Sequence, residues 1–251
     1  MLKSASTAAL VTALAALSAC NPDPSATAPV AAAAQHPDFS GLWFPAGRLQ
    51  DPQRAEYTPA AAAALAEYEK AFALDDDPGR YCQWPGMPCA IWGALFAVEI
   101  QQRPQDLTIY WEGYGMYRKI YMADMNPPEP ILPSAMGHSV ARWEGDTLVV
   151  ETTSLKPYPY MTRLATSSGA HVVERMRLEE RDVDGQTTKH IVNEVVLTDP
   201  KVYTTPIKIT GTLRHRSDLQ LLEYTCTDAL WDEYLSERGL ALPDMDALPD
   251  P

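Results

Sequence analysis

The chain has 251 residues, 33 of them acidic and 20 basic, for a formal charge of −13. A balance that negative repels phosphate backbones and anionic lipid headgroups, so no nucleic-acid partner is expected. Gly-x-Gly-x-x-Gly, Gly-x-x-x-x-Gly-Lys-Ser/Thr and Gly-x-Ser-x-Gly are all missing, so nucleotide-dependent and standard serine-hydrolase chemistries lose their main support and no cofactor is expected.

Residues 1–19 carry one lysine, then a small and apolar run from Ala8 to Leu17. Such a run is too short for a permanent bilayer helix and predicts an export signal. It ends in Leu17-Ser18-Ala19-Cys20, which resembles a lipobox. The resemblance implies lipidation of Cys20, and Asn21 in place of Asp implies sorting to the outer membrane, facing the periplasm. Two or three acyl chains, at about 0.8 kcal/mol per buried methylene, suffice for stable anchoring.

Residues 20–37 are rich in Pro, Ala and Ser, with too little apolar bulk to order themselves, and read as a tether. At roughly 3 Å per residue it would reach some 50 Å from the membrane. Residues 38–240 are then read as a single β-rich domain and residues 241–251 as an acidic tail.

The domain opens with Asp38-Phe39-Ser40-Gly41-Leu42-Trp43, read as a short strand. Thr58-Pro59 followed by Ala60 to Leu74 predicts a helix, with a capping threonine, proline at the first helical position, and Leu65, Tyr68 and Phe72 on one face. Asp75-Asp76-Asp77-Pro78-Gly79 ends it as a solvated loop.

Beyond this loop the hydrophobic period becomes two. Strands are expected over 94–102, 107–113 and 116–122, followed by a proline-rich loop from Asn126 to Pro133 that cannot lie inside a sheet. Further strands are expected over 138–143, 147–154, 171–181, 187–197, 207–214 and 219–225, and a short helix over 228–238.

About nine to ten strands joined mostly by short turns predict an antiparallel meander closing into a barrel, which hides its edges; a β-sandwich is the alternative. Gly41-x-Trp43 resembles the Gly-x-Trp signature of the first lipocalin strand, where the indole plugs the closed end. That likeness implies a calycin-type barrel.

With Cys20 lipidated, Cys82, Cys89 and Cys226 remain, and an oxidising compartment favours one bridge. Cys82 with Cys226 closes the longer loop and constrains the unfolded chain most. Neither the cysteines nor the five histidines are spaced as a zinc site, so no metal is expected.

The most distinctive stretch is Gly137-His138-Ser139 followed by Arg142-Trp143-Glu144-Gly145-Asp146-Thr147-Leu148-Val149-Val150. It resembles a family of exported bacterial lipoproteins with this core, and the likeness extends through Cys82, Arg118-Lys119-Ile120-Tyr121, His171 to Arg175, Asp199-Pro200 and Glu223-Tyr224-x-Cys226. No activity is assigned to that family, so the resemblance implies an architecture and no mechanism. Cys89 departs from its pattern, which would have arginine there.

Glu144 and Asp146 read first as hairpin residues around Gly145. His138, between a glycine and a strand start, is a candidate general acid or base, or a side chain that bonds a loop carbonyl. Period two places Arg118 on the face of Met116, Ile120 and Met122, Glu174 on that of Val172 and Met176, and Glu99 on that of Leu95 and Ala97. Inward charges must be paired or hydrogen-bonded. They form either a structural network or a polar spot in an apolar pocket walled by Trp84, Trp92, Tyr110, Trp111, Tyr114, Tyr117 and Tyr121.

Two functions follow. One is a lipid-anchored protein binding a small hydrophobic or aromatic molecule in its barrel. The other is a cofactor-independent lyase, isomerase or hydrolase with His138 as acid or base, Glu174 or Glu99 as its partner and Arg118 holding an anionic intermediate. A structural envelope lipoprotein leaves the aromatic interior unexplained.

Overall fold

Nine strands close on themselves in chain order in the computed structural model. They are β1 (Gly41–Pro45), β2 (Val98–Arg103), β3 (Asp106–Trp111), β4 (Met116–Met122), β5 (His138–Glu144), β6 (Thr147–Thr153), β7 (His171–Val183), β8 (Gln186–Thr198) and β9 (Ile207–His215). The barrel closes where β1 pairs with β9, Trp43 opposite His215 and Pro45 opposite Leu213, which settles barrel against sandwich.

The structure describes residues 36–46, 55–73, 76, 78–83, 86–92, 96–129, 132–159, 164–224 and 229–249, all within one unit, His36–Pro251. The signal segment, Cys20, the tether as far as residue 35, Trp84, Cys226 and the side chain of Trp92 lie outside the described residues.

Two expectations about the strands are corrected. β4 and β5 are parallel, with Ile120 opposite Ser139 and Met122 opposite Ala141, where an antiparallel meander was expected throughout. A parallel neighbour needs a crossover of about a dozen residues or more, and the proline-bearing stretch from Ala123 to Gly137 supplies it. The strand expected over 219–225 is not formed: residues 219–224 run as coil, with Leu222 bonding through its N–H to Glu112 Oε2 at 3.0 Å. The free edge of β9 is already taken by β1, so no ladder remains for a tenth strand.

Alternation along each strand sends Val98, Ile100, Leu107, Ile109, Ile120, Leu148, Val150, Val172, Ile191, Val195 and Ile209 into one apolar core. The outer wall of β5 to β8 is a lattice of ion pairs. Arg142 meets Glu151 at 2.6 Å, Arg175 meets Glu144 at 2.8 Å and Arg177 meets Glu194 at 2.8 Å. Such a wall suits water, since an arginine facing lipid at the bilayer midplane costs about 2–4 kcal/mol. No helix among the described residues is long and apolar enough to cross a membrane.

One end of the barrel is closed by rings. The Trp43 indole N–H donates to Phe39 O at 2.9 Å, Phe39 stacks on Trp143, and His36 lies parallel to Trp143 at 4.4 Å. Gly41 is needed here because a Cβ would sit 2.7 Å from His215 Nε2 and its φ is +129°. Both Phe39 and Trp43 are fully buried.

Among the described residues three α-helices lie outside the sheet: α1 (Pro59–Ala71), α2 (Cys89–Trp92) and α3 (Ala229–Arg238). Thr58 caps α1 by accepting from Ala61 N at 3.2 Å, and Tyr68 and Phe72 stack on its buried face as expected. Trp231 and Tyr234 of α3 join that aromatic cluster, and the Tyr234 hydroxyl donates to Asp76 Oδ1 at 2.6 Å. The pull of that carboxylate and burial raise the Tyr234 hydroxyl to about 12, burial being the larger cause.

Candidate functional site

Five consecutive strands each send one polar side chain inward: Arg118 from β4, Ser139 from β5, Thr152 from β6, Glu174 from β7 and Asn193 from β8. All five are buried. Arg118 Nε donates to Ser139 Oγ at 3.0 Å and Nη2 to Thr152 Oγ1 at 2.8 Å, and Nη2 also meets Glu174 Oε2 in a very close ion pair. Asn193 Nδ2 donates to the other oxygen of the same carboxylate at 2.9 Å, and the Ser139 and Thr152 hydroxyls bond each other at 3.0 Å.

The period-two placement of Arg118 and Glu174 is therefore met, and the two neutralise each other. Removing either charge alone would strand its partner in the core, at a cost of about 3–5 kcal/mol.

Arg118, Glu174 and Asn193 of this arc line an interior cavity whose other walls are mostly apolar, among them Ile91 of α2, Val98, Ile100, Ile109, Trp111 and Met176. The space is about 560 Å³ counted with its mouth, and water centres have about 40 Å³ of it. That is room for about three waters at some 10–15 Å³ each. Two polar atoms in this neighbourhood, Arg118 Nη1 and Asn193 Oδ1, are buried without a hydrogen-bond partner among the described residues.

The other expected site residues lie elsewhere. Glu99 faces outward and accepts from Gln101 Nε2 at 3.0 Å, correcting the expectation that it shares an inward face with Ala97. The reason is local: β2 starts at Val98, and Ala97 and Val98 are both buried, so the alternation shifts phase by one.

His138 also points outward, because Ser139 and Ala141 are the inward residues of β5. Its ring stacks on Tyr121 at 5.8 Å and makes no hydrogen bond among the described residues, neither to a carboxylate nor to a loop carbonyl. The barrel wall separates it from Glu174.

Of the expected aromatic walls among the described residues, Trp111 alone lines the cavity. Tyr117 and Tyr121 border an open outer groove of about 350 Å³ beside β4, together with Met116, Met136 and His138. Tyr117 is 64% exposed. Tyr114 sits in a 3-10 turn at φ +63°, donates to Gly79 O at 2.8 Å and packs on Tyr224.

Sequence reasoning missed Ser139, Thr152 and Asn193. The signal was available: each occupies the apolar phase of its strand, Ser139 with Ala141, Thr152 with Val150, Asn193 with Ile191 and Val195. Among the described residues no cluster of three His, Cys, Asp or Glu side chains gathers to hold a metal ion.

No family model matches this chain, and no curated protein matches its sequence.

Proposed function

We propose that this protein is a lipid-anchored envelope protein whose barrel binds a small hydrophobic molecule in its interior cavity, as the lipobox-like Leu17-Ser18-Ala19-Cys20 and the hollow barrel together suggest. The observation that carries the reading is the pair of unmet buried atoms, Arg118 Nη1 and Asn193 Oδ1, on residues that line an otherwise apolar space. Each unmet buried group costs about 1–3 kcal/mol, which a ligand satisfying it recovers. The room now present suits a slender occupant, and Ile91 of α2 forms part of its wall. In the same oxidising compartment, Cys82 is proposed to bridge to Cys226.

The enzymatic reading is not carried further, because His138, Glu99, Arg118 and Glu174 share no space in which substrate would meet them all. Native mass spectrometry of protein extracted from membranes tests the binding reading. A copurifying small molecule is expected, lost in Gly211→Leu, whose side chain fills the cavity. A ligand-free mass, together with no heat on titrating 1-octanol, overturns it.

A further inference from the structure

We infer that the head group this cavity selects is uncharged and both donates and accepts a hydrogen bond, an alcohol or its equivalent, and is not a carboxylate. The inference rests on the proposed binding role and names its ligand class.

A lone buried arginine would call for an anion. Arg118 is not alone: Glu174 already discharges it, and both side chains are 1% exposed. The cluster is therefore neutral as it stands, and its remaining members, Ser139, Thr152 and Asn193, carry no charge. An incoming carboxylate would bring a net negative charge into a space whose other walls are Val98, Ile100, Ile109, Trp111 and Met176, with no further cation facing it. Desolvating such an ion costs several kcal/mol.

What the cluster lacks is complementary in kind. Arg118 Nη1 is a donor seeking an acceptor, and Asn193 Oδ1 is an acceptor seeking a donor. Both residues bond the same Glu174 carboxylate, Asn193 at one oxygen and Arg118 at the other, so the unmet donor and the unmet acceptor belong to one cluster. A hydroxyl answers both kinds of group, accepting from Nη1 and donating to Oδ1. Its size suits a space that admits about three waters. Its alkyl chain then runs along the aliphatic wall toward Ile91, Leu213 and Pro45.

Isothermal titration of the full-length protein in detergent with three chain-matched probes tests this. The probes are 1-octanol, sodium octanoate and heptyl methyl ether, which accepts but cannot donate. At pH 7.5 octanol is expected to bind at least tenfold more tightly than either of the others. In Asn193→Leu, which keeps the Arg118–Glu174 pair, octanol and the ether are expected to bind equally. In Arg118→Met/Glu174→Met, octanol and the ether both weaken through loss of the Nη1 donor, while the advantage of octanol over the ether, which comes from Asn193 Oδ1, persists. Octanoate binding as tightly as octanol, or an octanol preference that survives Asn193→Leu, overturns the head-group inference while leaving the binding role intact. Failure of all three probes to bind overturns both.

Discussion

Replacing Arg118 with methionine leaves Glu174 buried with Asn193 as its one remaining side-chain partner, while Ser139 and Thr152 still bond each other. Breaking a buried pair from one side costs about 3–5 kcal/mol. For a domain of this size, where 1 kcal/mol shifts Tm by about 2–4 °C, the melting point is expected to fall by about 6–20 °C. Glu174→Met should cost a similar amount, because it strands the guanidinium. The double variant Arg118→Met/Glu174→Met removes both charges and fills the space with apolar atoms, so it should regain most of the loss. A residue of about 1–2 kcal/mol remains from Asn193 Nδ2, which loses its acceptor. Urea titrations of all four proteins, followed by the fluorescence of buried Trp43 and Trp111, close the cycle. A single variant within about 1 kcal/mol of the parent, or a double variant as unstable as the two singles summed, would refute the claim that these charges are held by each other.

Gly137 has a φ of +64°, and a Cβ there would lie 2.5 Å from the carbonyl oxygen of Thr153. Gly137→Ala is expected to destabilise the fold by at least about 1–2 kcal/mol, the cost of a left-handed backbone, and so to lower the urea midpoint; an unchanged midpoint contradicts the packing described. Burial, foremost, holds the His190 imidazole below its ordinary range. The unfolded chain then binds the proton more readily, so the contribution of His190 is complete above about pH 6.5 and declines as pH falls toward the lowered value. His190→Gln should flatten the dependence of stability on pH just below about pH 6.5, and a variant with the parent's slope rejects this assignment. Cys20→Ser is expected to move the protein from the membrane fraction to the soluble one, and retention at the membrane would count against the anchor. Non-reducing peptide mapping should recover Cys82 linked to Cys226; recovery of the two as separate thiols removes the proposed bridge.

The strands were legible in sequence because a wall with an apolar inside and a charged outside writes period two into every segment, and β3 to β8 fall within two residues of their expected limits. What escaped was non-local. Nothing within residues 219–225 reports that β1 already occupies the edge of β9, and nothing within 126–133 says whether the chain turns back or crosses over. Arg118 and Glu174 could be found by counting alternate positions from a correct strand start. The same count failed for Glu99 because the strand begins three residues after the apolar run does. For His138 the flanking glycine marked a strand entrance, but only the phase of Ser139 and Ala141 decides which side of the wall its ring occupies.

The parallel pair also makes the cohesion of the wall uneven. β7 and β8 share thirteen opposed positions, whereas β4 and β5 share three. Across that short seam Arg118 reaches to Ser139, Thr152 and Glu174 on the three strands beyond. The guanidinium thus works as a suture across one of the short joins, tying β4 to the three strands that follow it.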